Sequence, residues 1–268
     1  MVNYMRAEFY KVFHRRYTYI FLLVLLACEG LLVAGWAFTN ANGNDVGFDF
    51  GAGVLAMMLS VGLYCTVLTG DLVFSDQYKF NTLKNEVSYG LSRLRIYLGK
   101  LLVSCITALV LCAVIIATYV GMCWLVLPHD MATAGQTLSN LGFCLLVALP
   151  VWLGCQALVM MFFFLLRSNT VASFLIVGVI MAVPQVLKLL GAMVHPVFRY
   201  AYNVMLTPVL DAAPNMVGDW RLVGFACAVG AGWFLMSTAI GVVIFRKREI
   251  NERNEGGGGA QLYQSGAL

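Results

Sequence analysis

Charge is what this chain has least of: of its 268 residues, 11% are charged and 61% are hydrophobic, against roughly 25% charged in an ordinary soluble domain. With a mean hydropathy of +0.83, the apolar surface exceeds what one soluble core could hide, and a bilayer is the solvent the composition implies. Intrinsic disorder is excluded too, because it needs few large apolar residues and this chain has 17 Phe, 12 Tyr and 5 Trp. Histidine is scarce, and His14, His129 and His195 are scattered without metal-ligand spacing, so no zinc site is expected. Eight cysteines fall inside apolar stretches and never form a Cys-x-x-Cys pair, which points to reduced packing residues and not to a secreted disulfide framework. A phosphate-cradling Gly-x-x-x-x-Gly-Lys-Ser/Thr loop is missing; Gly99-Lys100-Leu101 lacks both the hydroxyl and the upstream glycine spacing. Neither a His-Glu-x-x-His motif nor paired aspartates for a diphosphate substrate occur. No catalytic or metal-binding residue is therefore nominated, and nothing suggests a nucleic-acid partner.

What the chain does have is long apolar runs. A transmembrane helix needs about 20 mostly apolar residues, and six stretches qualify, at 18–38, 51–74, 98–127, 138–166, 170–188 and 222–245. The expected fold is an all-α integral membrane protein. Residues 18–250 form its six-helix domain. Residues 1–17 read as a short basic helix with Met5, Phe9, Val12 and Phe13 on one side, suited to the headgroup layer of the membrane lipid. Residues 251–268, in which Gly256–Gly259 is followed by Ala260 to Leu268 without apolar periodicity, read as a flexible tail with the composition of a linker left by cloning. The Leu25-Leu26-Ala27-Cys28 sequence has the form of a lipidation box, but the apolar run continues to Phe38, which favours an uncleaved anchor. Every Lys and Arg except Lys188, Arg199 and Arg221 falls in the N-terminal segment, the loop between spans two and three, the connection after span four, or the tail. Basic residues are retained in the cytoplasm, so both termini are expected there.

The most informative segment runs from Ser75 to Lys100. Phe80, Leu83, Val87, Leu91, Leu94 and Leu98 recur at spacings of three and four, one narrow stripe of a helix, while Lys84, Asn85, Ser88, Arg93 and Arg95 lie off it. This describes one amphipathic helix, or two broken at Tyr89-Gly90, whose polar face either meets a partner or only covers headgroups. The residues Asn81-Thr82-Leu83-Lys84-Asn85-Glu86, Ser88-Tyr89-Gly90, Ser92-Arg93 and Tyr97-Leu98-Gly99-Lys100 resemble the loop between spans two and three in permeases of the type-2 ABC exporter family. The layout is similar as well: a basic amphipathic helix, six spans, a longer external segment before span six and a short basic tail. The nearest resemblance is to small bacterial permeases of bacitracin resistance and lantibiotic immunity. It implies a permease subunit in a bacterial cell membrane whose cytoplasmic coupling helix sits in a cleft of a separate ABC ATPase dimer. Thr82, Lys84, Asn85, Glu86, Tyr89, Gly90, Ser92 and Arg93 become the candidate coupling residues. The chain would bind no cofactor itself, ATP and magnesium belonging to the ATPase, and would pair with a second copy or a paralogous permease.

Ionisable groups inside a membrane are costly and so mark function or helix association. Glu29 lies midway through span one, either on the transport path or at the permease dimer contact, or else as a protonated or hydrogen-bonded carboxyl that holds helices together; Asp71, near the end of span two, suits a structural role. Gln156 in span four suits an interhelical hydrogen bond and is also a candidate for the path, together with Glu29, Met57, Met58 and Phe163. Rival classes are a secondary transporter and an integral membrane enzyme. The first usually needs several buried acids and broken helices, whereas here the in-span breaks expected are Pro150 and Pro184, neither beside a carboxylate. The second needs convergent acid, base or metal groups, which are missing. In the resembled family the segment Leu189–Trp220 forms short helices dipping into the outer leaflet. Spans rich in Phe, Met, Leu and Val point to an amphipathic or lipid-associated cargo, with an antimicrobial peptide moved outward as the expectation.

Overall fold

The computed structural model describes residues 2–74, 77, 82–166 and 168–247. Ser75, Lys79, Phe80 and Asn81 of the loop, Arg167, and the tail with Arg248 and Arg253 lie outside the described residues. Helices account for all regular structure among them, and six are long and apolar enough to cross a membrane. The spans are α2 (Arg16–Ala41), the pair α3 (Phe48–Met57) and α4 (Gly62–Phe74), α6 (Arg93–Val126), α7 (Met131–Leu165), α8 (Asn169–Met193) and α11 (Trp220–Lys247). Four short helices accompany them: α1 (Val2–Phe13), α5 (Thr82–Ser88), α9 (Val197–Asn203) and α10 (Leu206–Ala212). This is a multi-pass membrane protein.

Each span extends past its apolar window because local chemistry continues the helix. Asp130 starts α7 by accepting the Ala132 backbone N–H at 3.0 Å, and Ser168 starts α8 by accepting that of Val171 at 3.4 Å, two side-chain caps that satisfy otherwise orphaned amides. Span two contains a break that no proline announces. Residues Met58–Val61 tighten into a 3₁₀ turn between α3 and α4, and the Trp152 indole Nε1 donates to the Leu59 carbonyl there at 3.1 Å. Interrupted backbone survives at membrane depth where a neighbouring side chain takes up its hydrogen bonds.

The bundle is built around α7. In its most apolar window 67% of residues are buried, against 6% in α2. Helix α7 packs chiefly on α11, where both backbones come close: a Cβ on Gly154 would lie 2.7 Å from the Gly230 carbonyl oxygen, and one on Gly230 would collide with that of Pro150. Small residues allow such approach, which matters where lipid supplies no hydrophobic drive between helices. Nearer the end that carries α1, Phe74, Phe163, Phe164, Tyr97 and Phe245 form one aromatic stack with ring centroids 4.7 to 5.7 Å apart. Inside this core Gln156 is satisfied by two neighbouring helices, accepting from the Thr69 hydroxyl at 3.0 Å and donating to that of Ser104. At the opposite end α10 is folded inward: Leu206, Val209 and Leu210 are buried in the main core, and the Thr207 hydroxyl donates to the Ile180 carbonyl at 3.1 Å.

Candidate functional site

Two places concentrate chemistry, and the first is the junction of α1, α5 and the base of α6. The residues between Val87 and Arg93 cannot form one continuous helix, because Gly90 takes a φ of +84°, a left-handed conformation that glycine adopts without steric cost. Of the two arrangements open in the sequence, the break at Tyr89-Gly90 is the one realised. Its second half runs on as α6, with the Arg93 guanidinium donating to the carbonyls of Phe245 (3.2 Å) and Arg246 (2.9 Å) at the end of α11. Those carbonyls are ones that the helix itself leaves unpaired. The start of span three is thereby tied to the end of span six, and α1 lies at the same end of the bundle.

The stripe packs in part. Leu83 is buried and Val87, Leu91 and Leu98 rest on the main core, whereas Leu94 is exposed. Off the stripe, Asn85, Ser88, Tyr89, Gly90, Ser92 and Arg95 face outward, while Thr82, Lys84 and Arg93 are half-buried. Thr82 donates to the Gln77 side-chain oxygen at 2.6 Å. Glu86 differs from its expected surface position, since it turns inward and its carboxylate oxygen Oε1 lies 3.3 Å from Lys100 Nζ.

Lys100 is a fully buried cation. Besides Glu86 it meets Glu8 Oε2 at 3.0 Å, and Glu8 meets Lys11 Nζ at 2.6 Å through its other oxygen. The Tyr4 hydroxyl donates to Glu86 at 2.9 Å, and the Lys100 ammonium lies 5.8 Å from the Tyr4 ring centroid. Gly99 makes the arrangement possible, because a Cβ there would fall 2.7 Å from Tyr4 Cε1. Burial works against a charged Glu8, yet Lys100 and Lys11 outweigh it and hold its carboxyl below the ordinary carboxylate range. Burial and the two carboxylates push the Tyr4 phenol well above its ordinary range, so it remains a hydrogen-bond donor. Two acids and two bases thus balance across three helices. The apolar side of α1 takes part as well: Val12 is buried against Val73 and Val103 with Met5 and Phe9 beside it, so this face meets protein where a headgroup-layer position was expected. Nothing in the α1 sequence alone exposed this; the signal was Glu8 amid basic residues, with Lys100 at helical spacing on the inner side of α6.

The second place is a cavity of about 350 Å³ between α2, span two, α6 and α7. Of the five path candidates, Glu29, Met58 and Gln156 line it. Met57 is 70% exposed on the outer surface of the bundle, and Phe163 is buried in the aromatic stack; neither borders the cavity, because the 3₁₀ turn rotates Met57 outward and Phe163 lies on the Phe74 side of α7. The cavity exists because α2 leans on α6 alone for much of its length, and the unforeseen break at Met58–Val61 shapes one wall. Asp71 is elsewhere, accepting from Asn169 at 3.0 Å and joining span two to the start of α8. Among the described residues no cluster of His, Cys, Asp and Glu could hold a metal ion.

A six-span bundle with an inward-folded segment at one end, a short helix clamped to its base at the other and an internal cavity between is the architecture of a membrane transporter subunit. The sequence profile described as ABC-2 family transporter protein matches residues 4–185, and the chain belongs to that family. No curated protein matches it. The match covers α1, the junction and the cavity-lining spans, so both places described above lie inside the family's region.

Proposed function

We propose that this chain is the permease subunit of an ABC exporter, coupled to a separate ATPase dimer through α5, and that it moves an amphipathic or lipid-associated cargo outward. The observation that carries the coupling role is the junction itself. α5 and the turn after it offer Asn85, Ser88 and Tyr89, the last 88% exposed, while the inner side of α5 is clamped by Glu86 and Leu83 to α1 and to the base of span three. A push on the exposed edge therefore reaches a transmembrane helix through buried ion pairs and not through a loose loop. In this reading this end and both termini lie in the cytoplasm of a bacterial cell, which the distribution of Lys and Arg supports. ATP and magnesium then act on the partner alone, and a second copy or a paralogous permease completes the pore.

For the cargo, membrane-targeting antimicrobial peptides fit the apolar spans and the resemblance to immunity permeases. Asn85→Glu combined with Tyr89→Ala, both exposed at α5 and the turn after it, is expected to abolish co-purification of the ATPase while the permease still folds; undiminished co-purification excludes this edge as the contact. Cells carrying permease and ATPase are expected to survive higher peptide doses than cells with an ATPase-dead partner. Equal sensitivity across a panel of peptides, together with ATPase stimulation by a sugar or a lipid-linked glycan, removes the peptide assignment and leaves the exporter class.

A further inference from the structure

The cavity beside Glu29 has polar groups on its wall, and the protein satisfies nearly all of them itself. Thr66 donates to the Leu63 carbonyl at 2.6 Å, Thr69 and Gln156 bond each other, Trp152 donates to Leu59, and the Tyr119 hydroxyl donates to the Gly51 carbonyl at 2.9 Å. Glu29 is the exception. Among the described residues its one hydrogen-bonding neighbour is the Thr118 hydroxyl at 3.3 Å, and that hydroxyl lies closer to the carbonyls of Val114 (2.8 Å) and Ile115 (2.9 Å). A threonine carries a single O–H proton, which the shorter contacts claim. None of the ion pairs among the described residues involves Glu29, and no Lys, Arg or His lines the cavity. Glu29 is therefore the one acidic group among the residues lining the cavity and has no cation beside it, at a depth where a lone carboxylate is costly.

We infer that this cavity binds a compact apolar monocation, its apolar body against span two and α6 and its positive group paired with Glu29. The charge of the ligand follows from the carboxylate, since a cation desolvated beside it restores the balance that the protein leaves open. Its size follows from the volume: 350 Å³ is space for roughly a dozen waters at about 30 Å³ each, enough for a small amphiphile or one apolar part of a larger one and too little for an entire peptide. Identifying the ligand as cargo rests on the exporter reading; the binding itself does not.

Tetraphenylphosphonium serves as the probe, with triphenylphosphine oxide as its uncharged counterpart, on purified protein in phosphatidylcholine nanodiscs against empty nanodiscs. Saturable binding of the cation is expected, weakened about tenfold or more by Glu29→Gln, kept within about threefold by Glu29→Asp, and lost in Ala108→Trp, which fills the cavity. The neutral compound is expected to bind wild type and Glu29→Gln alike. A second readout needs no variant: Cys65 and Cys112 line the cavity, and the probe is expected to slow their reaction with N-ethylmaleimide while leaving exposed Cys227 unaffected. Equal cation affinity in wild type and Glu29→Gln, or no protection of the two thiols, overturns the proposal; a cavity covered by a second copy of the chain gives that same negative result. Because the ATPase is absent from the assay, loss of coupling to it leaves these outcomes unchanged, and the exporter reading stands or falls on the co-purification experiment instead.

Discussion

The ionic junction and the transmembrane cavity both hold carboxylates away from bulk water, and the protein treats them in opposite ways. At the junction Glu8 and Glu86 are surrounded by Lys100, Lys11 and Tyr4. In the cavity Glu29 has a contested hydroxyl and no cation. A buried charge with its partners in place fixes the arrangement of the elements that carry it, whereas the half-buried Glu29, with no cation beside it, invites a ligand. The first arrangement suits a mechanical link and the second a binding site.

The largest expected break in that contrast is Lys100→Met. It removes the buried cation that Glu8 and Glu86 share, leaving them only the half-exposed Lys11, and is expected to cost about 3 kcal/mol, read as a lowered unfolding temperature in detergent; Lys100→Met together with Glu8→Gln and Glu86→Gln is expected to recover much of the loss. Next comes Gly99→Ala, whose methyl would meet the Tyr4 ring and displace α1, at a cost of about 1–3 kcal/mol, checked by increased proteolysis within α1. A smaller effect is expected from acid. Since the folded Glu8 carboxyl titrates below its unfolded value, its contribution is fully present above an unfolded pKa of about 4.3 and is lost as pH falls through the folded value. Unfolding temperature should therefore be flat from neutral pH down to that range and drop beneath it, and Glu8→Gln should flatten part of the drop; an identical acid profile in the variant excludes Glu8 as a contributor. Smallest is Glu29→Gln, expected to change stability by no more than about 0.5 kcal/mol or to raise it, because no intramolecular ion pair is lost. A loss as large as that of Lys100→Met would show Glu29 to be structural and erase the contrast.

Much of the fold is legible from residue order. The six apolar runs announce the spans, whereas Pro150 and Pro184, expected as in-span breaks, lie inside the continuous helices α7 and α8. The break in span two was not legible: Met58-Leu59-Ser60-Val61 has no proline or glycine within it, and it is the Trp152 indole from another helix that stabilises the interruption. Of the coupling candidates, outward residues such as Asn85 and Tyr89 could be read from helical periodicity. The inward turn of Glu86 could not, because periodicity assigns a face to the helix and only the neighbouring Lys100 and Tyr4 decide which polar residue that face buries. Met57 and Phe163 were nominated by residue type, and type says nothing about which side of a span meets a cavity.

Composition and order alone determined that the chain has six stretches long and apolar enough to span a membrane and that no phosphate-cradling Gly-x-x-x-x-Gly-Lys-Ser/Thr motif occurs in it. These are local or summed properties, set by transfer free energy and the bilayer's thickness. Tertiary structure alone decided that α1 is clamped to α5 through Lys100, that α7 is the hub while α2 is almost unburied, and that Glu29 faces a cavity without a counter-charge. The physical reason is that a helix apolar on every face has no preferred side, so its rotation and neighbours are set by close contacts such as Gly154 on Gly230 and by polar groups that must find partners across helices.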